Sequence, residues 1–159
     1  MTSEHNDQDT TFAQMMIIHH EGAIEMSQLA IERAETPEVL ALAKRIAGAQ
    51  GPEIDEMTAW LSAWGEDVTP GGHAGMDMGG MDMNGVSQEE MMTQLDGMSG
   101  TGFDRAFLEA MIAHHEGAIG MSEQQRAEGQ NPEALGLAEK IVADQQAEIA
   151  EMQEILTSL

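Results

Sequence analysis

Cysteine is absent from this chain of 159 residues, and with it go disulfide bridges, zinc ribbons and thiol catalysis. Basic residues are scarce: 6 lysines and arginines stand against 29 acidic residues, for a formal net charge of -23. Such a surface repels phosphate backbones and anionic headgroups and attracts cations, so nucleic acid is not an expected partner. No stretch reaches the roughly 18 uninterrupted apolar residues of a membrane span, so no membrane insertion is expected. The opening "MTSEHNDQDT" lacks the basic-then-apolar pattern of an export signal. Catalytic signatures are missing too. No Glu-x-x-His pair occurs, which leaves a di-iron carboxylate centre without ligands. "HEGAI" lacks the second histidine of a zinc protease, and no nucleophile with its base or phosphate-binding glycine loop stands out. The chain is not expected to be an enzyme.

What the chain has instead is methionine, 15 of them, and an internal duplication. Residues 12–61 align without a gap on residues 107–156 with roughly 23 identities in 50 positions, far above chance. "MIIHHEGAIEM" at residues 16–26 returns as "MIAHHEGAIGM" at residues 111–121.

Each copy reads as a helical hairpin. In its first arm Phe12, Met15, His19, Ala23, Met26 and Ala30 share one face at about 100° per residue, with Gln14, Glu21, Glu25 and Glu32 opposite. Thr36-Pro37-Glu38 and Asn131-Pro132-Glu133 break the two copies, the first residue as a cap and proline in the first turn of the next helix. The second arm aligns Val39, Ala43, Ile46, Gln50, Ile54, Met57 and Leu61. Neither hairpin buries its apolar stripe alone, so the expected fold is all-α, a four-helix bundle closed from both. Its parts are a flexible tail at 1–8, a hairpin at 9–64, a Gly/Met-rich linker at 65–86, a short helix at 87–96 opened by a Ser87–Glu90 capping box, and a hairpin at 102–159.

On the helical wheel His19 lies near the centre of the apolar stripe and His20 about 100° round, nearer its edge and one turn after Met16. His115 has the same relation to Met111, and His114 shares its segment with Met121. Thioether and imidazole together suit Cu(I) or Ag(I) better than harder ions. For His19 and His114 a core role competes, with Gln50, Glu53, Gln145 and Glu148 as acceptors of an imidazole N–H or as a metal's outer shell. In the linker, His73, Met76, Met78, Met81 and Met83 are spaced as "HAGMDMGGMDM" in a segment with no core to fill. They are candidate ligands for a soft monovalent ion, or alternatively an oxidant sink in a non-metal structural or interaction bundle.

"FAQMMIIHHEGAIEMSQLA" and "FDRAFLEAMIAHHEGAIGMSE" resemble the signature of the bacterial domain-of-unknown-function family three-zero-five, which includes periplasmic copper-resistance proteins. The resemblance runs from about Asp9 to the C-terminus. It implies a ferritin-like four-helix bundle, an extracytoplasmic location, either periplasmic or secreted, and Cu(I) or Ag(I) bound through methionine and histidine. Carried onto this sequence it points to Met16, His19, His20 and Met26, and to Met111, His114, His115 and Met121. The expected function is to sequester or relay copper for resistance or homeostasis, with a copper-exporting or copper-delivery protein as the partner.

Overall fold

The computed structural model describes residues 4–69 and 87–159. Among these residues every regular element is an α-helix: α1 (Asp7–Arg33), α2 (Pro37–Trp64), α3 (Gln88–Asp96), α4 (Gly100–Glu128) and α5 (Pro132–Ser158). The four long helices form the bundle. Its seams are α1 against α2, α4 against α5, and α1 against α4, while short α3 docks on α1 and α4.

Helix ends follow local chemistry. Pro37 and Pro132 occupy the first turns of α2 and α5, where a missing N–H is harmless. Gly65 ends α2 in the left-handed region at φ 74°, a conformation that costs glycine little. The Ser87 hydroxyl caps α3 by accepting from the Glu90 N–H at 3.3 Å. Asn131 caps α5 through its side chain, accepting from the N–H groups of Glu133 and Ala134. Thr36, expected to cap α2, makes no such bond. The turn before α2 is held instead from the other hairpin.

Buried Asp104 on α4 accepts from the backbone N–H groups of Glu35 at 3.2 Å and Thr36 at 2.8 Å, in the α1–α2 turn. Its duplicate, buried Asp9 on α1, accepts from the N–H groups of Gln130 and Asn131, both at 3.0 Å, in the α4–α5 turn, and from the Gln125 side-chain amide at 2.6 Å. Each hairpin therefore supplies the carboxylate that satisfies the other's turn. The expected flexible tail at 1–8 is corrected from residue 4 onward. Asn6 and Asp9 form a reciprocal capping box, the Asn6 amide donates to the Glu128 carbonyl, and the Asn131 amide donates to the Glu4 carbonyl. His5 stacks on Trp64 with ring centroids 4.5 Å apart.

Two apolar clusters fill the bundle. One gathers Met26, Ile46, Phe103, Phe107, Met111 and Met152, and the other Phe12, Met16, Met57, Trp60, Leu137 and Ile141. Along every long helix the switch from one cluster to the other falls at polar residues: His19 and His20 on α1, Gln50 and Glu53 on α2, His114 and His115 on α4, Gln145 and Glu148 on α5. A polar layer divides the core.

Removing either turn-capping carboxylate orphans two backbone N–H groups, and hydrogen bonds to a charged acceptor are worth about 1.5–3 kcal/mol each. Asp104→Ala is expected to destabilise the fold by about 2–4 kcal/mol at neutral pH. Asp9→Ala is expected to cost more, because it also releases Gln125 and the α1 cap. Urea denaturation of the two variants checks both the size and the order.

Candidate metal site

The two copies meet at their histidines. His19 and His114, 2 % and 3 % exposed, bring their ring centroids to 3.6 Å across the α1–α4 seam. The approach depends on the glycine of "HHEG". A Cβ at Gly117 would lie 3.2 Å from His19 Nε2, and one at Gly22 would lie 3.3 Å from His114 Nε2. Glycine inside a helix costs roughly 0.5–1 kcal/mol relative to alanine, so its presence in both copies marks a place where a side chain would obstruct a neighbour. Gly22 also lets Gln88 of α3 dock, with the Gln88 amide donating to the Gly22 carbonyl at 3.2 Å and to Glu25 at 2.9 Å.

The wheel placed His20 and His115 toward the edge of the buried stripe, but both rings are fully buried. The reason is that α1 packs against two helices, so its buried arc is wider than one stripe: His19 faces α4, while His20 faces α2. His20 Nε2 donates to Glu53 Oε1 at 2.6 Å, and His115 Nε2 donates to Glu148 Oε1 at 2.6 Å. Glu53 and Glu148 thus pair with these histidines, whereas they had been expected opposite His19 and His114. A carboxylate only accepts, so in the neutral ring the proton sits on Nε2 and Nδ1 carries the lone pair. Both Nδ1 atoms are buried without a hydrogen-bond partner among the described residues.

Burial sets the electrostatics of this layer. Desolvation first, then repulsion from His20 and His115, lowers His19 from 6.5 to about 3. His114 is also pushed well below the ordinary histidine value, by desolvation and then by His19, His115 and His20. Burial alone would raise Glu53. The hydrogen bonds from His20 and Lys140, with the charges behind them, outweigh it and hold the carboxyl below its ordinary value.

The methionines divide by burial. Met16, Met26 and Met111 are fully buried, and Met121 packs partly buried against the cluster of Phe12 and Trp60. Met16 precedes His20, and Met111 precedes His115, by one helical turn, which sets thioether and imidazole side by side on each helix. Met91 and Met92 dock α3 on the core. His73, Met76, Met78, Met81 and Met83 lie outside the described residues. Among the described residues, no three histidine, cysteine, aspartate or glutamate side chains gather as a ready-made metal centre.

The sequence profile described as "Domain of unknown function (DUF305)" matches residues 9–156, nearly the whole chain. The chain belongs to the DUF305 family. Similar solved structures extend the likeness to the fold. A DUF305 fragment from Deinococcus radiodurans is 30 % identical at a TM-score of 0.83, covering 97 % of this chain and 98 % of that one. A DUF305 protein from Streptomyces coelicolor, named as a candidate secreted protein, is 29 % identical at a TM-score of 0.84, over 95 % and 93 % of the two chains. CopM in its Cu(I)-bound form is 31 % identical at a TM-score of 0.77, over 94 % and 96 %. CopM also has Cu(II)-bound and Ag-bound structures. No curated protein matches the sequence. No helix among the described residues of this DUF305 chain is long and apolar enough to cross a membrane.

Sequence reading missed the turn-capping aspartates and the reason for the glycine in "HHEG". Mid-helix glycine at matched positions was the available signal for the second, whereas nothing local marks a carboxylate whose partners lie in the other hairpin. The lowered histidines give this DUF305 bundle a definite acid response. An unfolded imidazole takes its proton near pH 6.5, but folded His19 holds out to about 3. Between those values the unfolded state binds more protons, so stability falls as pH falls and is regained above about 6.5. Each such histidine contributes about 1.4 kcal/mol per pH unit at most. Chemical denaturation from pH 6.5 to 5, above the carboxylate range, is expected to show this slope. His19→Leu combined with His114→Leu is expected to flatten it.

Proposed function

We propose that this protein binds Cu(I) outside the cytoplasm, with Ag(I) as its chemical analogue, and sequesters or relays it as a binding protein and not as an enzyme. The observation that carries the reading is the pair of buried imidazoles, His20 and His115, each with Nε2 engaged by a glutamate and Nδ1 left without a partner. A carboxylate on the far nitrogen fixes the tautomer and makes the free nitrogen a better donor, as around protein-bound metals generally. One turn away, Met16 and Met111 supply thioethers, and that donor pair favours a soft monovalent ion. An unpartnered buried polar atom costs about 1–3 kcal/mol. A bound ion would supply each Nδ1 with the missing partner.

The CopM structures support the choice of ion, since a relative of this length and fold has Cu(I)-, Cu(II)- and Ag-bound forms. The likeness to the Streptomyces protein named as a candidate secreted protein supports a location outside the cytoplasm. Composition alone assigns His73, Met76, Met78, Met81 and Met83 to first capture of the ion, before the bundle or a copper-exporting or copper-delivery partner receives it. The oxidant-sink reading concerns exposed methionines, because sulfoxide formation follows exposure, and buried Met16, Met26 and Met111 fall outside it.

Anaerobic Cu(I) titration against a chromophoric chelator tests this. His20→Gln with His115→Gln retains an N–H donor for each glutamate while removing the imidazole lone pair. It is expected to weaken binding at least tenfold, and replacing the four linker methionines by leucine to remove a separate fraction of the bound copper. The proposal fails if wild type binds no more tightly than the combined variant.

A further inference from the structure

The seam between α1 and α4 is closed, but α2 and α5 are separated by a groove of about 230 Å³. Its lining includes Gln50, Glu53, Asp144, Gln145, Glu148 and Glu151. Gln50 and Gln145, 5 % and 4 % exposed, each carry a buried amide oxygen with no hydrogen-bond partner among the described residues. On each helix the glutamine lies three residues before the glutamate, one turn away on the same face. The duplication thus brings two Gln-x-x-Glu pairs to opposite walls of one groove.

Charge points the same way. The groove holds four carboxylates, and two cationic side chains answer them: Lys140, on Glu53 at 3.1 Å and Asp144 at 2.7 Å, and Arg45, paired with Glu151. Two negative charges are left over. Glu53 commits one oxygen to His20 and the other to Lys140, whereas Glu148 commits one to His115 and keeps a second, so a cation binding here takes the place of the Lys140 ammonium on Glu53. Phosphate or another anion would be repelled here, and an apolar ligand would leave the amide oxygens unsatisfied. A cation answers both the leftover charge and the orphaned acceptors.

We infer that this groove binds a hard divalent cation of the Ca²⁺, Mg²⁺ or Mn²⁺ class through Gln50, Glu53, Gln145 and Glu148, with water completing the shell. Amide and carboxylate oxygens are the donors such ions prefer, and thioethers are not. The groove's volume compares with roughly 30 Å³ per water in bulk, which leaves room for an ion that keeps part of its hydration. The site uses oxygen atoms that soft-metal binding at imidazole and thioether leaves unused, and it stands independently of the copper proposal.

Mn²⁺ titration of the full chain, followed through the paramagnetic resonance signal of the free ion at about 0.15 M salt, separates this site from diffuse attraction to an acidic surface. Gln50→Leu with Gln145→Leu changes no charge, whereas Glu21→Gln with Glu116→Gln removes two exposed charges elsewhere. One Mn²⁺ per chain is expected, weakened at least tenfold by the glutamine replacements and less than twofold by the surface pair. Glu53→Gln with Glu148→Gln keeps an acceptor for each histidine and is expected to weaken binding to the same extent, which covers failure of the leucine variant to fold. Absence of Mn²⁺ binding, or loss of it only in the surface variant, overturns the inference.

Discussion

Four imidazoles buried at the middle of a small bundle are the constraint on which the rest of the structure depends. Two of them, His19 and His114, face each other across the seam between the hairpins; the other two, His20 and His115, bond the glutamates of their own second arms at 2.6 Å. Polar groups out of water are costly unless paired. The fold pairs one nitrogen of His20 and one of His115, draws in Glu53 and Glu148 to do so, and fixes the facing positions as glycine so that the rings can approach. The apolar clusters on either side keep water away, which is what lowers His19 and His114.

Duplication explains how so short a motif organises so much. A motif that needs a partner face finds one in its own copy, and the contacts become reciprocal: histidine against the other copy's glycine, and aspartate against the other copy's turn. Each hairpin takes a carboxylate for its turn from the other. The two are therefore bound by hydrogen bonds at both ends of the bundle and by ring contact at its middle, in addition to the apolar area buried between them.

Much of this was legible in the chain. The 3.6-residue period, the proline-marked breaks and the repeat were enough to place α2 and α5 at Pro37 and Pro132, and to place a capped short helix after Ser87. What remained hidden was information carried between segments. A wheel describes one helix against one neighbour, so it put His20 at an edge when the ring is buried toward α2. Capping statistics favour Thr36, whose side chain makes no cap bond, and they are silent on Asp104, whose bonds to the Glu35 and Thr36 N–H groups depend on where α4 arrives. The unpartnered Nδ1 atoms and the glutamines of the α2–α5 groove likewise become visible only when the helices are assembled.

The polar layer thus joins a structural role to a chemical one: the glutamates that satisfy the buried histidines also leave each ring with one nitrogen lone pair beside a thioether. The measurement that tests this most directly is ¹⁵N NMR of the imidazoles in the metal-free and Ag(I)-loaded protein at neutral pH. The account predicts the Nε2–H tautomer at His20 and His115 without metal, and a shift confined chiefly to their Nδ1 atoms when Ag(I) binds. A proton on Nδ1 in the metal-free protein, or Nδ1 resonances unmoved by saturating Ag(I), would contradict it.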